Sequence, residues 1–588
     1  MKSLREEVES AVRQGLTALL GPEGAELDPV VRPTQDPRFG DFQSNVAMGL
    51  AKRMGKKPRE IAEELVRALD VEALCGTPEI AGPGFINFRV RPEFLAARLR
   101  TIQADPRLGI PPVEQPQRAI VDFSSPNLAK EMHIGHLRTT VIGDTIARLL
   151  EFLGHDVLRL NHVGDWGTQF GMLLQYVRET HPEVLENPEG FQVDDLEVFY
   201  RAAKARFDAD PAFADAARGA VVELQSGEAV ARKLWRAFCD ESLRHAHEIY
   251  DLLGVRILDR GESFYNDMLP EVVRELEEKG LAEENQGAVC VFLEGWKNKE
   301  GEPLGTIIRK SDGGYMYATT DLAGIKQRVS EERADRIIYV TDVRQGDHFK
   351  QVFQIARRAG WAPESVALEH VGYGMILGAD RKPFKTRSGD TVKLRDVIEE
   401  AIQRVAAVIE NDPERREGLS TEQRELISRV VGIGAIKYAD LSHNPSNDYV
   451  FDWDVMLALE GNAGPYMQFA YVRIRGIGRK AGVAFEELPA DAPVIVEHET
   501  EIELAKRLLE FSGVVRQAAE ELKPILLTDY LYSLSRAFSA FYDRVHGVRV
   551  IDAETEELRL SRLRLCDLTA RTLQAGLGLL GIGVLEQM

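Results

Sequence analysis

The sequence is poor in cysteine and has no long apolar run. Its four cysteines, Cys75, Cys239, Cys290 and Cys566, are far apart, and none of them belongs to a Cys-x-x-Cys pair. We therefore expect neither bound zinc nor a disulfide framework. Scattered cysteines of this kind are typical of a protein in a reducing compartment. No apolar run approaches the ~20 residues of a membrane span, and the opening MKSLREEVESAV lacks the apolar core of a signal peptide. These absences predict a cytoplasmic protein that has no contact with a membrane.

An excess of basic residues is also missing, since 73 Lys and Arg stand against 94 Asp and Glu and leave a net charge of −21. This balance alone argues against a nucleic-acid partner. Net charge, however, governs solubility and long-range steering, whereas binding depends on local patches, so an acidic protein can still bind RNA with one basic face. The length of 588 residues predicts roughly three to five domains.

The most informative stretch is SSPNLAKEMHIGHL, residues 124–137. An apolar run precedes it and apolar residues at helical spacing follow it, which predicts a strand, a polar loop and a helix. His133 and His136 lie at the start of that helix, with Gly135 between them to let a ligand approach the backbone. Because a helix N-terminus offers unpaired N–H groups and a partial positive charge, two imidazoles there form a site for a polyphosphate. The plain alternative is a loop with two surface histidines.

Asn127 and Lys130 in the same loop favour the phosphate site. With them, the block resembles the His-x-Gly-His signature of class I aminoacyl-tRNA synthetases, and its longer form is similar to that of the arginyl-tRNA synthetases. LNHVGDWGTQFG, residues 160–171, is similar to the same family. The resemblance implies a ligase that activates L-arginine with ATP as the adenylate and transfers it to the terminal ribose of tRNA(Arg), releasing AMP and pyrophosphate, with Mg²⁺ bound to the ATP. Lys130 would add positive charge at the phosphates.

Helix and strand patterns divide the chain into four parts. Residues 1–110 predict a small α+β domain, and residues 111–400 predict a Rossmann-type α/β domain with ligands at the carboxyl ends of its parallel strands. A helical, charged stretch at about 170–260 is interpreted as an insertion in that domain. Residues 401–455 predict connecting helices and residues 456–588 an all-α bundle. The family resemblance implies that the first part touches the D-loop of the tRNA, the third its stem and the last its anticodon. The strands expected in the α/β domain are residues 157–160, 336–340 and 366–371.

A second cationic segment is GMILGADRKPFKTRSGDTVKL, residues 374–394. Its glycines and proline keep it flexible, and Lys382 and Lys385 lie three residues apart. A mobile basic loop can close over a triphosphate and neutralise the charge that grows on departing pyrophosphate, although a solvated basic loop is the plain alternative. The segment resembles a degenerate Lys-Met-Ser-Lys-Ser signature of class I synthetases, in which Pro383 and Phe384 replace Met and Ser.

Selection of a guanidinium requires buried carboxylates with neutral acceptors around them. Tyr317 and Asp321 are four residues apart and lie on one helical face. Glu262 follows an apparent strand, VRIL, and Gln345 follows the expected strand RIIYV. Taken one at a time, each of these residues is better explained as a surface or capping group.

Together, these four residues resemble the arginine-binding set of the arginyl-tRNA synthetases. The resemblance adds Asn127 and His162 at the α-amino or carboxylate end of the substrate, and it places His348 nearer the ATP. The ATP-binding set that it implies is His133, Gly135, His136, His348, Lys382 and Lys385.

FGDFQSN, residues 39–45, is the informative part of the N-terminal region. On physical grounds the pattern indicates a turn and a helix cap, with Phe39 packed inside. It is similar, however, to the motif with which arginyl-tRNA synthetases touch the D-loop. In that case Phe39 would stack on an unpaired base, and Asp41 and Gln43 would offer hydrogen bonds.

GNAGPYMQFAYVRIRGIGRK, residues 461–480, interleaves aromatic and basic residues. Such side chains suit stacking on splayed bases and contact with phosphates, and an ordinary helix with a solvated basic face fits equally well. The stretch is similar to the first helix of the family's anticodon-binding domain, and family comparison adds two residues further on. The expected anticodon contacts are Tyr466, Gln468, Arg473, Tyr542 and Met588.

The resulting hypothesis is two-step acyl transfer without a protein nucleophile. The arginine carboxylate attacks the α-phosphate of ATP, while the histidines and lysines stabilise the charge on the phosphates. Three alternatives stay open: a class I synthetase for another amino acid such as lysine, a small-molecule nucleotidylyltransferase with the same His-x-Gly-His logic, and a catalytically inactive relative that only binds RNA. We expect the chain to act as a monomer.

Overall fold

The computed structural model describes residues 2–34, 36–185, 196–384, 392–543 and 545–588. In this part of the chain, no helix is long and apolar enough to cross a membrane. Within the same ranges, no group of three or more His, Cys, Asp or Glu side chains could hold a metal ion. The four cysteines are buried and free.

The N-terminal region is an antiparallel sheet covered by helices. Its strands, in the spatial order β1-β2-β4-β3, are β1 (Val31–Pro33), β2 (Phe42–Ser44), β3 (Glu79–Ala81) and β4 (Phe85–Phe88). Its helices are α1 (Leu4–Leu20), α2 (Pro22–Ala25), α3 (Val46–Met54), α4 (Pro58–Ala68) and α5 (Pro92–Ile102). Ser3 and Glu6 form a capping box that starts α1, whose apolar face is buried. The α+β class expected for this region is confirmed.

The middle region alternates strands and helices. Its strands are β5 (Arg118–Asp122), β6 (Asp156–Asn161), β7 (Leu258–Asp259), β8 (Ala282–Asn285), β9 (Ala288–Lys297), β10 (Pro303–Arg309), β11 (Arg336–Asp342), β12 (Ala367–Tyr373), β13 (Ile376–Leu377) and β14 (Tyr449–Val450). Its helices are α6 (Gly135–Phe152), α7 (Thr168–Thr180), α8 (Leu196–Ala209), α9 (Pro211–Ser226), α10 (Ala229–Leu253), α11 (Leu269–Glu278), α12 (Tyr317–Ser330), α13 (Gly346–Arg358), α14 (Leu394–Glu410), α15 (Pro413–Gly418), α16 (Thr421–Leu441) and α17 (Trp453–Met456).

Five of these strands form one parallel sheet in the order β12-β11-β5-β6-β7. The central strand β5 carries Ile120 and Val121, both fully buried, and pairs with β11 on one side and β6 on the other. Because the chain continues from β5 to β6 on one side and later adds β11 on the other, a crevice opens at the carboxyl ends of β5 and β11. The three strands expected from the sequence are confirmed as β6, β11 and β12.

The expected helical insertion is present as α7 to α10, which share an apolar core that includes Phe170 and Phe238. The same core contains Leu128 and Val163, so the insertion packs against the loop that carries the histidines. The antiparallel sheet of β8, β9 and β10 was not expected. Strand β9 buries a continuous run at residues 289–291 instead of alternating buried and exposed positions, which removes the usual strand signal.

Helices fill the C-terminal region, as expected. They are α18 (Gly464–Ala481), α19 (Glu499–Glu520), α20 (Ile525–Phe541) and α21 (Glu556–Leu579). Lys506 of α19 forms an ion pair with Asp41, and Arg516 of the same helix pairs with Glu6. The N-terminal region therefore packs directly on the C-terminal bundle.

Candidate active site

The two histidines of the 124–137 stretch lie side by side at the start of α6, with ring centroids 4.0 Å apart. The Gly135 N–H donates a hydrogen bond to Nδ1 of His133 at 3.1 Å, and the His133 N–H donates to Nδ1 of His136 at 3.0 Å. Because Nδ1 accepts in both rings, the proton of each neutral imidazole is on Nε2, where it can be donated to a ligand.

The surroundings keep both imidazoles neutral. Burial, together with the repulsion that would arise between two protonated rings, lowers the pKa of His136 to about 3. Desolvation and the ammonium group of Lys130 lower the pKa of His133. Near neutral pH the pair offers two N–H donors and little positive charge of its own. A phosphate bound here would therefore draw its counter-charge from other residues.

A cavity of about 330 Å³ lies beside the histidines, at the crevice of the parallel sheet. Gln345, which follows β11, lines this cavity, and so do Pro383 and Phe384 of the cationic segment. Lys382 is exposed directly before them. Lys385 lies outside the described residues. The histidine block and the start of the cationic segment, which are far apart in sequence, thus border one cleft.

Both described ends of the cationic segment are anchored. At its start, Ile376 and Leu377 of β13 pair with β14. At its end, Lys393 forms an antiparallel bridge with His133 and an ion pair with Glu131 at 2.7 Å. The segment therefore leaves and rejoins the fold beside the histidine block.

The predicted acids Glu262 and Asp321 lie close enough for their charges to interact, and both residues are partly buried; we call this place the acid pocket. Burial and the negative charges of Asp165 and Asp321 raise the pKa of Glu262 to about 8. Asp321 Oδ2 is 2.6 Å from Nε2 of His348, and this hydrogen bond raises the pKa of His348 against the opposing effect of burial. His348, which the sequence placed nearer the ATP, is therefore engaged with the acid pocket. An excess of negative charge in a desolvated site favours a cationic ligand.

The other predicted arginine contacts, His162, Tyr317 and Asn127, differ in how far they are exposed to solvent. His162 stacks on Tyr265 with ring centroids 5.4 Å apart, and burial lowers its pKa. Tyr317 is 71% exposed at the start of α12. Asn127 is exposed and pairs through its backbone with Gly164. His162 is thus partly buried, and Tyr317 and Asn127 are open to solvent.

Two buried ion pairs lie near the cleft, and almost nothing in the sequence indicated that their partners would meet. Nη2 of Arg328 is 2.6 Å from Oδ2 of Asp122, which ends β5. Nε of Arg138 is 3.1 Å from Oδ2 of Asp440, and Arg138 also lines the cavity. In both pairs the partners come from distant segments, so no local pattern joins them. The place of Asp122 at the end of an expected strand was the only available hint.

The D-loop candidates of the N-terminal region have different surroundings. Phe39 is 45% exposed rather than packed inside. Asp41 forms its ion pair with Lys506 at 2.5 Å, and Gln43 donates to Asn87 at 2.8 Å. In this conformation Asp41 and Gln43 connect parts of the protein to one another.

The anticodon candidates on α18 also separate by burial. Gln468 is 1% exposed, and its amide donates to the carbonyls of Val430 and Gly583 at 3.1 and 2.8 Å. This burial contradicts a direct tRNA contact in this conformation, because the face of α18 that carries Gln468 packs on α16 and on the C-terminal tail. Arg473 is exposed, and its guanidinium lies 5.5 Å from the ring centre of Tyr542.

The remaining candidates lie beside the C-terminal tail. Tyr466 is half-buried and meets another tyrosine ring edge-on. Met588 is partly buried and borders a mainly apolar cavity of about 150 Å³. The tail itself is held by Glu586, whose carboxylate accepts hydrogen bonds from Tyr471 and Arg475 at 2.8 Å each. Met588 is therefore placed by a fixed tail.

Three family profiles match the chain. The profile described as "tRNA synthetases class I (R), catalytic domain" matches residues 100–453, "Arginyl tRNA synthetase N terminal domain" matches residues 4–90, and "DALR anticodon binding domain" matches residues 467–588. The chain belongs to the arginyl-tRNA synthetase family.

Relatives in this family match the chain over its full length. The protein named Arginine--tRNA ligase in Nostoc sp. (strain PCC 7120) is 55% identical, with 100% of both chains covered, and the protein of the same name in Synechococcus elongatus is 55% identical over 97% of each chain. The solved arginyl-tRNA synthetase from Plasmodium falciparum has a TM-score of 0.86 at 28% identity, and that from Thermus thermophilus has 0.80 at 27%; both alignments cover 100% of each chain. The fold expected from the sequence, a Rossmann-type domain between an α+β region and a helical bundle, is confirmed.

Proposed function

We propose that this protein is an ATP-dependent ligase that joins L-arginine to tRNA(Arg). Membership of the arginyl-tRNA synthetase family supports the proposal, as do the full-length relatives named Arginine--tRNA ligase. The observation that carries it is the arrangement of the cleft. His133 and His136 border one cavity with the start of the cationic segment, and the carboxylates of Glu262 and Asp321 lie close enough to interact. The first group suits a nucleoside triphosphate and the second a guanidinium.

In the first step, the arginine carboxylate attacks the α-phosphate of ATP and pyrophosphate leaves. The Nε2–H groups of His133 and His136 donate to phosphate oxygens at the N-terminus of α6, and Gly135 leaves the backbone there accessible. Lys382 and Lys385 supply the positive charge that the neutral imidazoles lack, and they act most strongly on the charge that develops in the transition state. A Mg²⁺ ion bound to the ATP phosphates supplies further positive charge.

The acid pocket selects the amino acid by charge. The guanidinium lies between Glu262 and Asp321, because its planar fork of donors pairs with carboxylates, and the Tyr317 hydroxyl closes the rim. Glu262 holds a proton near neutral pH and releases it when the cation enters. Asn127 and His162 meet the α-amino and carboxylate end of the substrate.

Three further residues connect the two halves of the site. Gln345 lines the nucleotide cavity after β11, so we assign it to the junction of arginine and ATP. Lys130 lies close enough to lower the pKa of His133, which supports a role for its positive charge near the phosphates. His348 is the partner of Asp321, and we propose that it lies between the arginine pocket and the ATP.

In the second step, a ribose hydroxyl of the terminal adenosine of the tRNA attacks the adenylate carbonyl and AMP leaves. Phe39 and the Arg473–Tyr542 pair are open to the RNA, and aromatic and cationic groups suit stacking on unpaired bases. Asp41 and Gln468, which are engaged inside the protein, support the RNA-binding surfaces from within.

We also propose the division of the chain after residues 110, 400 and 455, a monomeric state and a cytoplasmic location. The free, buried cysteines support a reducing compartment. Sedimentation equilibrium of the full chain tests the monomeric state, for which we expect the mass of one 65.7 kDa chain.

A charging assay tests the proposed function. The full chain is incubated with ATP, Mg²⁺, unfractionated tRNA and one labelled amino acid at a time, and the charged tRNA is sequenced. We expect labelled arginine on tRNAs with arginine anticodons and no charging with lysine. Charging with lysine would identify a synthetase for the other cationic amino acid. Arginine-dependent ATP cleavage that never acylates tRNA would identify a small-molecule nucleotidylyltransferase.

A further inference from the structure

Asp165 lies next to the pocket acid Glu262 and is 8% exposed. It belongs to the LNHVGDWGTQFG stretch, residues 160–171. Its Oδ1 accepts a hydrogen bond from the Ser263 N–H at 2.8 Å, and its Oδ2 accepts one from the Ser263 hydroxyl at 2.5 Å. Both carboxylate oxygens therefore hold the residue that follows Glu262.

Gly261, the residue before Glu262, lies equally close to Asp165. A Cβ added at Gly261 would be 2.1 Å from Oδ2 of Asp165, so a side chain at this position would collide with the carboxylate. The N–H of Glu262 itself donates to the Val163 carbonyl at 3.0 Å. Residues 261–263 therefore pack against Val163 and Asp165, and Glu262 is the middle residue of this segment.

The helical insertion holds Asp165 from the other side. Nε1 of Trp235 in α10 donates to the Asp165 carbonyl at 2.7 Å. The ring of Trp235 also meets the ring of Trp166 edge-on, with centroids 5.6 Å apart. Asp165 is therefore held by hydrogen bonds to its main chain and to its side chain.

The charge around Glu262 is negative in excess. Asp165 and Asp321 both act on Glu262, and with burial they raise its pKa to about 8. The hydrogen bonds from Ser263 favour the charged form of Asp165, against the effect of burial, which raises the pKa of Asp165. Burial lowers the pKa of His162, so its ring adds no full positive charge near neutral pH.

Two basic residues of this region pair with other acids. Nε2 of His348 is 2.6 Å from Asp321. Nη2 of Arg328 is 2.6 Å from Asp122. Among the described residues, Asp165 forms no salt bridge and its carboxylate is stabilised by hydrogen bonds, so a cationic ligand in the pocket would interact with it at low dielectric.

We propose that Asp165 is a positioning and specificity-determining residue for the arginine side chain. It holds Glu262 in place through Gly261 and Ser263, and it adds a second negative charge behind Glu262. The inference rests on the proposed function, since it takes arginine as the amino acid. A guanidinium in the pocket interacts with the charges of Glu262 and of Asp165 behind it, and its positive charge favours loss of the proton from Glu262. Citrulline, an uncharged isostere of arginine, gains neither of these two charge interactions.

The deciding variant is Asp165→Asn, because the amide keeps an acceptor for the Ser263 N–H and removes the charge. The readout is arginine-dependent exchange of pyrophosphate into ATP, with tRNA present, across the pH range. In the unaltered protein, the KM for arginine should fall with rising pH and level off at about pH 8, where Glu262 is ionised. The pH at which the KM for arginine levels off, which we call the break, should be lower in the variant. Above the break, the KM for arginine should be about tenfold higher than in the unaltered protein. The preference for arginine over citrulline should fall by a similar factor, and the KM for ATP should not change.

Two further variants separate charge from geometry. Asp267→Asn makes the same chemical change at an exposed acid of the 3-10 helix Glu262–Met268 and should alter neither the break nor the KM for arginine. Ser263→Ala removes one of the two hydrogen bonds to Asp165 but keeps its carboxylate, so it should raise the KM for arginine and move the break less than Asp165→Asn does. If Asp165→Asn does not fold, Ser263→Ala decides: an unchanged KM for arginine in that variant overturns the proposal.

A folded Asp165→Asn protein with the same break and the same KM for arginine as the unaltered protein would also overturn it. Equal rises in the KM values for arginine and for ATP would indicate a general structural role and would overturn it as well. If the unaltered protein does not use arginine at all, the proposed function is wrong, and this result is distinct from the others because it needs no variant.

Discussion

Arg138 and Asp440 form an ion pair of 3.1 Å across 302 residues of sequence, and both side chains are almost completely buried. The pair joins α6, which begins at the two histidines, to α16. Arg138 also donates to the Asn447 carbonyl at 2.8 Å and lies 5.1 Å from the ring centre of Tyr449. Because Tyr449 belongs to β14, which pairs with β13 at the start of the cationic segment, one buried guanidinium links the two sides of the nucleotide cleft.

Asp440→Asn should therefore destabilise the catalytic region. The substitution leaves the charge of Arg138 buried without its partner, which typically costs about 3–5 kcal/mol. The measurement is the urea concentration at which pyrophosphate exchange is half lost. Asp36→Asn is the matched control, since its partner Arg38 is exposed, and it should leave that midpoint unchanged. If both variants behave alike, the buried pair does not stabilise the cleft.

Replacement of either histidine should affect catalysis more than binding. His133→Ala and His136→Ala each remove an N–H donor that acts mainly on the charge of the transition state, so kcat for pyrophosphate exchange should fall by on the order of 10²–10³. His155→Ala, just beyond the far end of α6, is the control and should retain nearly full kcat. Arginine-dependent exchange at the control rate in either active-site variant would refute the assignment.

The depressed pKa of His136 also predicts a loss of stability in acid. The folded protein keeps this ring neutral down to about pH 3, whereas the unfolded chain protonates it near the ordinary value of 6.5. Between these values the unfolded state binds more protons, so the free energy of unfolding falls as pH falls, by at most ~1.4 kcal/mol per pH unit. The free energy of unfolding, measured by urea denaturation, should be lower near pH 5.5 than at neutral pH. His136→Gln should make this difference smaller by about 1 kcal/mol. An unchanged difference would show that His136 does not contribute.

Asp321→Asn should weaken arginine binding specifically. The variant leaves the guanidinium without one of its charge partners and His348 without its acid, at a cost of about 2–5 kcal/mol in arginine affinity. Exchange kinetics should show a raised KM for arginine and an unchanged KM for ATP. Asp347→Asn, an exposed acid paired with Lys350 one residue before His348, should change neither value. Unaltered arginine affinity in Asp321→Asn would mean that the pocket is elsewhere.

Local patterns in the sequence predicted what is local in the structure. The histidine pair was identified because a strand, a loop and a helix follow one another without interruption, and the apolar run at 336–340 marked β11 for the same reason. The Arg138–Asp440 pair could not be predicted, since nothing in a periodic pattern says which distant segments meet. The place of Asp165 behind Glu262 depends likewise on tertiary contacts between two loops.

Burial explains where the RNA-facing predictions diverged from the structure. The sequence of α18 shows an amphipathic helix, but it does not show that a second layer, the C-terminal tail, covers the face that carries Gln468. Asp41 has the same difficulty, because its partner Lys506 is supplied by the opposite end of the chain. Phe39 shows the opposite difference: on physical grounds this large apolar residue was expected to be buried, and in the structure it is open to solvent.

The most direct test of one cleft that holds ATP beside a cation-selective pocket is pyrophosphate exchange run with each amino acid in turn, with tRNA present. We predict strong exchange with arginine, far weaker exchange with lysine or citrulline, and a greatly reduced signal at low arginine concentration in both His136→Ala and Asp321→Asn. Exchange supported equally by lysine or by an uncharged amino acid, or arginine exchange that survives both substitutions, would contradict the proposed site.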